Sequence, residues 1–174
     1  MGNNPAFGQA ALDLGQIIGR NAWSLVYGAG DTGLMGAVAK GANTSGAKIF
    51  GVIPEHLINR EVSSASPNQF IVTDDMHSRK KLMFMNSDAV VLLPGGAGSM
   101  DEFFEVLTWS QLKLHSKPII VANIKGYWKP MISLIDHVIA SGFADPGMRD
   151  LFCVAQTVAE VEATLRSALN TANV

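Results

Sequence analysis

Charge is scarce in this chain. Asp, Glu, Lys and Arg make up 16% of 174 residues, where soluble domains carry about a quarter. Scarce charge implies hidden surface, in a doubly covered sheet or against a partner subunit. What charge there is nearly balances, with a formal net charge of −2 and a pI of about 6.0. That argues against nucleic acid or an anionic membrane as partner, which normally requires a basic face. A small phosphate ligand, which needs only a local site, stays open. Cysteine is almost absent: Cys153 stands alone, so no internal disulfide and no cysteine-based zinc cluster can form. Its setting, Leu151-Phe152-Cys153-Val154-Ala155, reads as a buried structural thiol. No apolar stretch nears the ~20 residues of a membrane-spanning helix. The polar opening, residues 1–7, lacks the pattern of a signal peptide. Linkers, repeats and low-complexity segments are missing. The expectation is a single cytoplasmic domain over residues 1–174.

What is present is a core. Apolar residues reach 48%, and they alternate between two periodicities. Helical spacing covers residues 5–20, with Asn3 or Asn4 as cap, then 32–45, 75–87, from the glycine run after Leu93 to about Leu114, 128–141 and 157–169. Short apolar runs, read as strands, cover 23–27, 48–53, 70–73, 88–93, 118–123 and 151–155, with a polar loop from Pro54 to about Asn68. The strands are nearly continuous apolar runs. That is the mark of a mostly parallel sheet with helices on both faces, an α/β sandwich of the Rossmann-like kind. Ligands in such sheets bind beyond the carboxyl ends of the strands, and two glycine-rich turns fall there.

The stronger turn is Pro94-Gly95-Gly96-Ala97-Gly98-Ser99-Met100-Asp101-Glu102, between a strand and a helix. Glycines let the backbone approach a ligand, and the following helix aims free N–H groups and partial positive charge at it, which suits a phosphate. Three glycines after a strand can also mean only a tight turn. Ser99 is expected to cap the helix, with Asp101 and Glu102 in its first turn. Acidic residues there are common for dipole reasons alone, but a carboxylate beside a phosphate site is unfavourable unless it has a task. The run is neither a Walker loop, lacking Gly-Lys-Ser/Thr, nor the dinucleotide G-x-G-x-x-G.

The second turn, residues 28–36 (GAGDTGLMG), has the same form, with Gly30, Thr32 and Gly33 as anion or ribose contacts; Asp31 or Thr32 serves equally well as a helix cap. A third feature is Met76-His77-Ser78-Arg79-Lys80-Lys81 at a helix start. Three cations are disfavoured there by the dipole unless an anion is present. Arg79 is the best phosphate ligand because its guanidinium binds bidentately; Lys80 and Lys81 could be solvated. His77 and His115 receive no catalytic role, and Asp74-Asp75 reads as a cap.

Pro94-Gly95-Gly96-x-Gly98-Ser99-x-x-Glu102 resembles the PGGxGTxxE motif of the LOG family, the cytokinin riboside 5′-monophosphate phosphoribohydrolases. The resemblance extends through Leu25 to Gly36, through Gly51-Val52-Ile53-Pro54, through Asp75-Met76-His77-x-Arg79-Lys80, and through Leu107-Thr108-Trp109-x-Gln111-Leu112 into His115-x-Lys117-Pro118. Ser99 stands for the usual threonine and Ala29 for a glycine. Family members begin with a strand and a Gly-Ser-Ser turn before the stretch that aligns with residues 2–5. The chain as given starts without that strand, which would be central in a Rossmann sheet. The resemblance implies a homodimer or higher homo-oligomer that hydrolyses a purine nucleoside 5′-monophosphate, N6-substituted or plain AMP, to free base and ribose 5-phosphate. It carries catalysis onto Glu102 and Arg79. Substrate and phosphate contacts fall on Gly95, Gly96, Gly98, Ser99, Lys80, Gly30, Thr32, Gly33 and Met76. No metal and no cofactor are expected. The older label of some members, lysine decarboxylase, finds no support in the residues. The rival from another class is a non-catalytic nucleotide- or cofactor-binding protein of the same fold.

Overall fold

A computed structural model describes residues 2–58 and 70–171. The polar loop expected up to about Asn68 lies largely outside them; its start is a 3-10 turn, Glu55–Leu57. The chain divides into two compact units, residues 1–87 and 88–174.

The first unit opens with α1, Pro5–Arg20, bounded as its sequence pattern predicts. Asn4 is the cap: its side chain accepts from the Ala6 N–H at 3.0 Å, and Pro5 takes a first-turn place where a missing N–H costs nothing. Then follow β1 (Ser24–Tyr27), α2 (Gly33–Thr44), β2 (Lys48–Pro54), β3 (Phe70–Thr73) and α3 (Met76–Met85). The strands form a parallel sheet in the order β1-β2-β3, with Ser24 opposite Lys48 and Gly51 opposite Phe70. The small residues of α2 have a packing cause. Side chains at Gly15 and Gly41 would collide with the Val38 and Leu12 carbonyls across the α1–α2 contact. With Ala11 and Ala42 fully buried between them, the two helices pack backbone against backbone.

The second unit holds β4 (Val90–Leu92), α4 (Ala97–Gln111), β5 (Ile119–Ala122), α5 (Lys129–Ala140), β6 (Cys153–Ala155) and α6 (Val158–Thr171). Its sheet is also parallel, in the order β4-β5-β6. All four residues of β5 are buried, so both faces of this sheet are covered, as continuous apolar runs require. Phe103, Leu107, Ile135, Phe152 and Val161 complete the core, with the Phe103 and Phe152 rings edge to face at 5.6 Å. The architecture is therefore parallel α/β, and its strands pair as two three-stranded sheets.

Two expectations are corrected here. Cys153 is exposed rather than buried. The run 151–155 is not one strand: Leu151 ends a 3-10 turn, Pro146–Leu151, and β6 pairs on one side only, so burial falls on Phe152 and Ala155 instead. The helix after the glycine run begins at Ala97 with Gly96 as its cap position. Ser99 therefore lies inside the first turn, and Asp101 and Glu102 lie in the second.

Candidate active site

In the second unit, β4 delivers the chain into Pro94, which is buried and cannot extend the ladder because it has no N–H. The backbone then turns into α4 at Gly96. No side chain caps this helix. The N–H groups of Gly96, Ala97, Gly98 and Ser99 have no acceptor among the described residues. They form the open donor set of an uncapped helix end. The three glycines are not equivalent. A side chain at Gly95 would collide with Ser99 Oγ, whereas at Gly96 and Gly98 it would meet nothing within 4 Å. Neither Gly96 nor Gly98 has a positive φ. Folding requires glycine at neither position, and the space beside both is open to a ligand. Glu102 follows Ser99 by three residues, on the neighbouring face one turn into α4, and is half-buried.

Sequence reasoning missed Tyr127, whose hydroxyl donates to the Gly95 carbonyl at 2.7 Å. The two residues lie 32 positions apart, and no local pattern announces such a bond.

In the first unit, Arg79 is 5% exposed. Its Nη2 donates to the Gly28 carbonyl at 3.1 Å and its Nη1 to the Met76 sulfur at 3.7 Å. Its Nε finds no acceptor, and no carboxylate pairs with it among the described residues. A buried cation left this way is costly unless an anion completes it. A side chain at Gly28 would collide with the guanidinium, so that glycine makes room for Arg79. Met76 thus touches Arg79 rather than standing alone, and Lys80 is half-buried.

The turn at residues 28–32 enters α2 at Gly33, with Thr32 in the cap position but making no capping bond. The N–H groups of Gly33, Leu34 and Met35 have no acceptor among the described residues. Ala29 takes a left-handed conformation, φ 60°, at a cost of about 1–2 kcal/mol for a residue with a side chain. Its Cβ fills space beside Gly51, where an added Cβ would lie 2.9 Å away.

The start of α3 differs. Asp75 accepts from the Ser78 N–H at 2.7 Å and from Ser78 Oγ at 3.2 Å. The Ser78 backbone bond, above all, lowers its pKa below the ordinary carboxylate value. His115 is structural. The Lys117 N–H donates to its Nδ1 at 3.1 Å, so Nε2 carries the proton and donates to the Val106 carbonyl at 2.9 Å. Met83 and Trp109 are half-buried, and Met100 is 38% exposed. No helix among the described residues is long and apolar enough to cross a membrane.

Parallel strands, covered sheets and glycine turns at their carboxyl ends define an α/β protein of the Rossmann-like class. The sequence model of a family described as "Possible lysine decarboxylase" matches residues 35–165. A probable cytokinin riboside 5′-monophosphate phosphoribohydrolase LOG4 of Oryza sativa subsp. japonica is 40% identical over 96% of this chain and 73% of its own. The cytokinin riboside 5′-monophosphate phosphoribohydrolase of Rhodococcoides fascians is 41% identical over 95% and 84%. The chain belongs to this LOG family of phosphoribohydrolases. Among solved structures, the Moco carrier protein of Chlamydomonas reinhardtii superposes with a TM-score of 0.73 at 23% identity, covering 98% of this chain and 92% of that one. The molybdenum cofactor binding protein of Rippkaea orientalis gives 0.72 at 22% identity, over 97% and 91%. At that identity the likeness is one of fold.

Proposed function

We propose that the chain hydrolyses the N-glycosidic bond of an adenosine 5′-monophosphate, plain or N6-substituted, to free base and ribose 5-phosphate. The observation that carries this reading is the pairing on α4 of four unpartnered N–H donors with a carboxylate one turn further on. Three residues of helix advance about 4.5 Å, so a phosphate held at the helix end brings its ribose within reach of Glu102.

Departure of the base builds positive charge on the ribose ring, as in glycoside hydrolysis. The Glu102 carboxylate stabilises that charge and orients the attacking water. The water oxygen bonds to the anomeric carbon, its proton leaves, and the base departs with the bond's electron pair and gains a proton. Gly95, Gly96, Gly98 and Ser99 hold the 5′-phosphate, and binding energy from that remote group aligns the sugar. Arg79, with its unsatisfied Nε, serves the substrate's phosphate or ribose. Gly30, Thr32 and Gly33 at the open start of α2, with Lys80 and Met76, add further contacts. Water and substrate suffice for the atom balance.

The same reading makes the chain one catalytic domain of a cytoplasmic homodimer or higher homo-oligomer. Exposed Leu112, Leu114, Leu134 and Phe143 supply apolar surface for association, and a free exposed thiol suits a reducing compartment. Light scattering on the purified protein tests the assembly.

The functional test incubates the protein with AMP and with isopentenyladenosine monophosphate and follows free base by chromatography. Release by the wild type and not by Glu102→Gln supports the reading. A thermal shift with AMP but no release from either nucleotide overturns it in favour of a binding protein.

A further inference from the structure

The bond from Tyr127 to Gly95 bears on the phosphate loop itself. A trans peptide is planar, and its carbonyl and N–H point in opposite directions. No cis peptide occurs among the described residues. Holding the Gly95 carbonyl therefore fixes the direction of the Gly96 N–H, the first of the four open donors. Little else holds the Gly96 side of that peptide: Gly96 is exposed, and a Cβ there would meet nothing within 4 Å.

Tyr127 is itself held. It follows the turn Ile124–Gly126 at the carboxyl end of β5, and its ring stands edge to face on buried Trp128 at 4.8 Å. Asn123 Oδ1 accepts from the Trp128 N–H at 2.8 Å, and Asn123 Nδ2 donates to Gln156 Oε1 at 3.1 Å. The turn after β5 is thus tied to the end of β6, and the hydroxyl presented to Gly95 has a fixed origin.

We propose that Tyr127 is a positioning residue for the 5′-phosphate: it pre-orients the Gly96 N–H and thereby sets the affinity of the glycine loop for phosphate-bearing ligands. This rests on the phosphoribohydrolase reading, which assigns the phosphate to that loop. Pre-orientation lowers the cost of ordering donors at binding, so losing it weakens binding of the phosphate without touching the carboxylate that does the chemistry.

The test compares wild type with Tyr127→Phe, which removes only the hydroxyl from a side chain that is 41% exposed. The readouts are kcat and KM for AMP, inhibition by ribose 5-phosphate and by adenine, and the thermal midpoint. The variant should raise the AMP KM and the ribose 5-phosphate inhibition constant together, by about three- to tenfold, the range of one net hydrogen bond. Inhibition by adenine and kcat should stay near wild type, and the thermal midpoint should fall by no more than about a few degrees. Unchanged ribose 5-phosphate inhibition overturns the proposal, as does a parallel loss of adenine inhibition, which marks a general loosening. If the wild type releases base from neither AMP nor isopentenyladenosine monophosphate, the hydrolase reading falls. Calorimetric titration of both proteins with ribose 5-phosphate then still decides the role of Tyr127, with equal affinities refuting it.

Discussion

The helices α3 and α4 start in opposite ways. At α3 the chain supplies its own anion: Asp75 occupies the cap position and takes the Ser78 N–H. At α4 the cap position is Gly96, and four N–H groups point to no acceptor among the described residues. The α1 and α6 starts resemble α3, with Asn4 on Ala6 and Thr157 Oγ1 accepting from the Glu160 N–H. The α2 start resembles α4. The same backbone end therefore serves two purposes. Filled by a side chain, it stabilises the fold; left open, as it also is at α5, it keeps N–H donors available to an anion.

The largest expected effect separates chemistry from capping. Glu102→Gln should lower kcat by about 10²- to 10⁴-fold, the usual range for a positioned acid–base group, while AMP still binds by calorimetry. Joint loss of binding would make Glu102 structural and would dissociate it from the open helix end.

Next is the conversion of α4 into a second α3. Gly96 has extended backbone angles, φ −99° and ψ −153°, and room for a side chain. Gly96→Asp should raise stability by roughly a few tenths of a kcal/mol through capping and weaken AMP binding by at least about tenfold through like charge. A thermal melt and an AMP titration read both signs at once. A stabilised protein that still binds AMP normally would break the comparison.

A milder version is Gly98→Ala, inside the first turn of α4. It should stabilise the helix by about 0.5–1 kcal/mol and raise the AMP KM a few-fold by crowding the donors. A fall in stability would contradict the open space beside Gly98.

The smallest effect tests the filled end. Asp75 has its pKa lowered in the folded state, so the stability it adds is present above the ordinary carboxylate range and is lost as pH falls through the lowered value. Asp75→Asn removes that titration. The difference in melting temperature between wild type and variant should shrink as the solution is acidified.

Much of this could be read from the residues. The start of α1 is legible to within one residue: Asn3 or Asn4 suits the cap, and the structure uses Asn4, with Pro5 in the first turn. The cations at residues 79–81 raise the expectation of an anion; the helix end itself is taken by Asp75, while Arg79 is buried with an unpartnered Nε. The start of α4 was misread because serine is a favoured cap, whereas the helix takes up Ala97 and Gly98 first and leaves Ser99 inside. Cys153 was misread because an apolar run says nothing about whether its strand has neighbours on both sides. Tyr127 carried no signal at all, since its partner is set by tertiary structure.

Ala29 has a consequence for how this sequence can change over generations. Its methyl group occupies the space that a methyl at Gly51 would need. The pair can share one methyl between them more easily than hold two. Replacement at position 51 should be tolerated better once position 29 is glycine, and badly before. The order of two single substitutions, rather than their identity, then determines which intermediates survive, and lineages carrying alanine at position 29 should be those in which position 51 cannot drift.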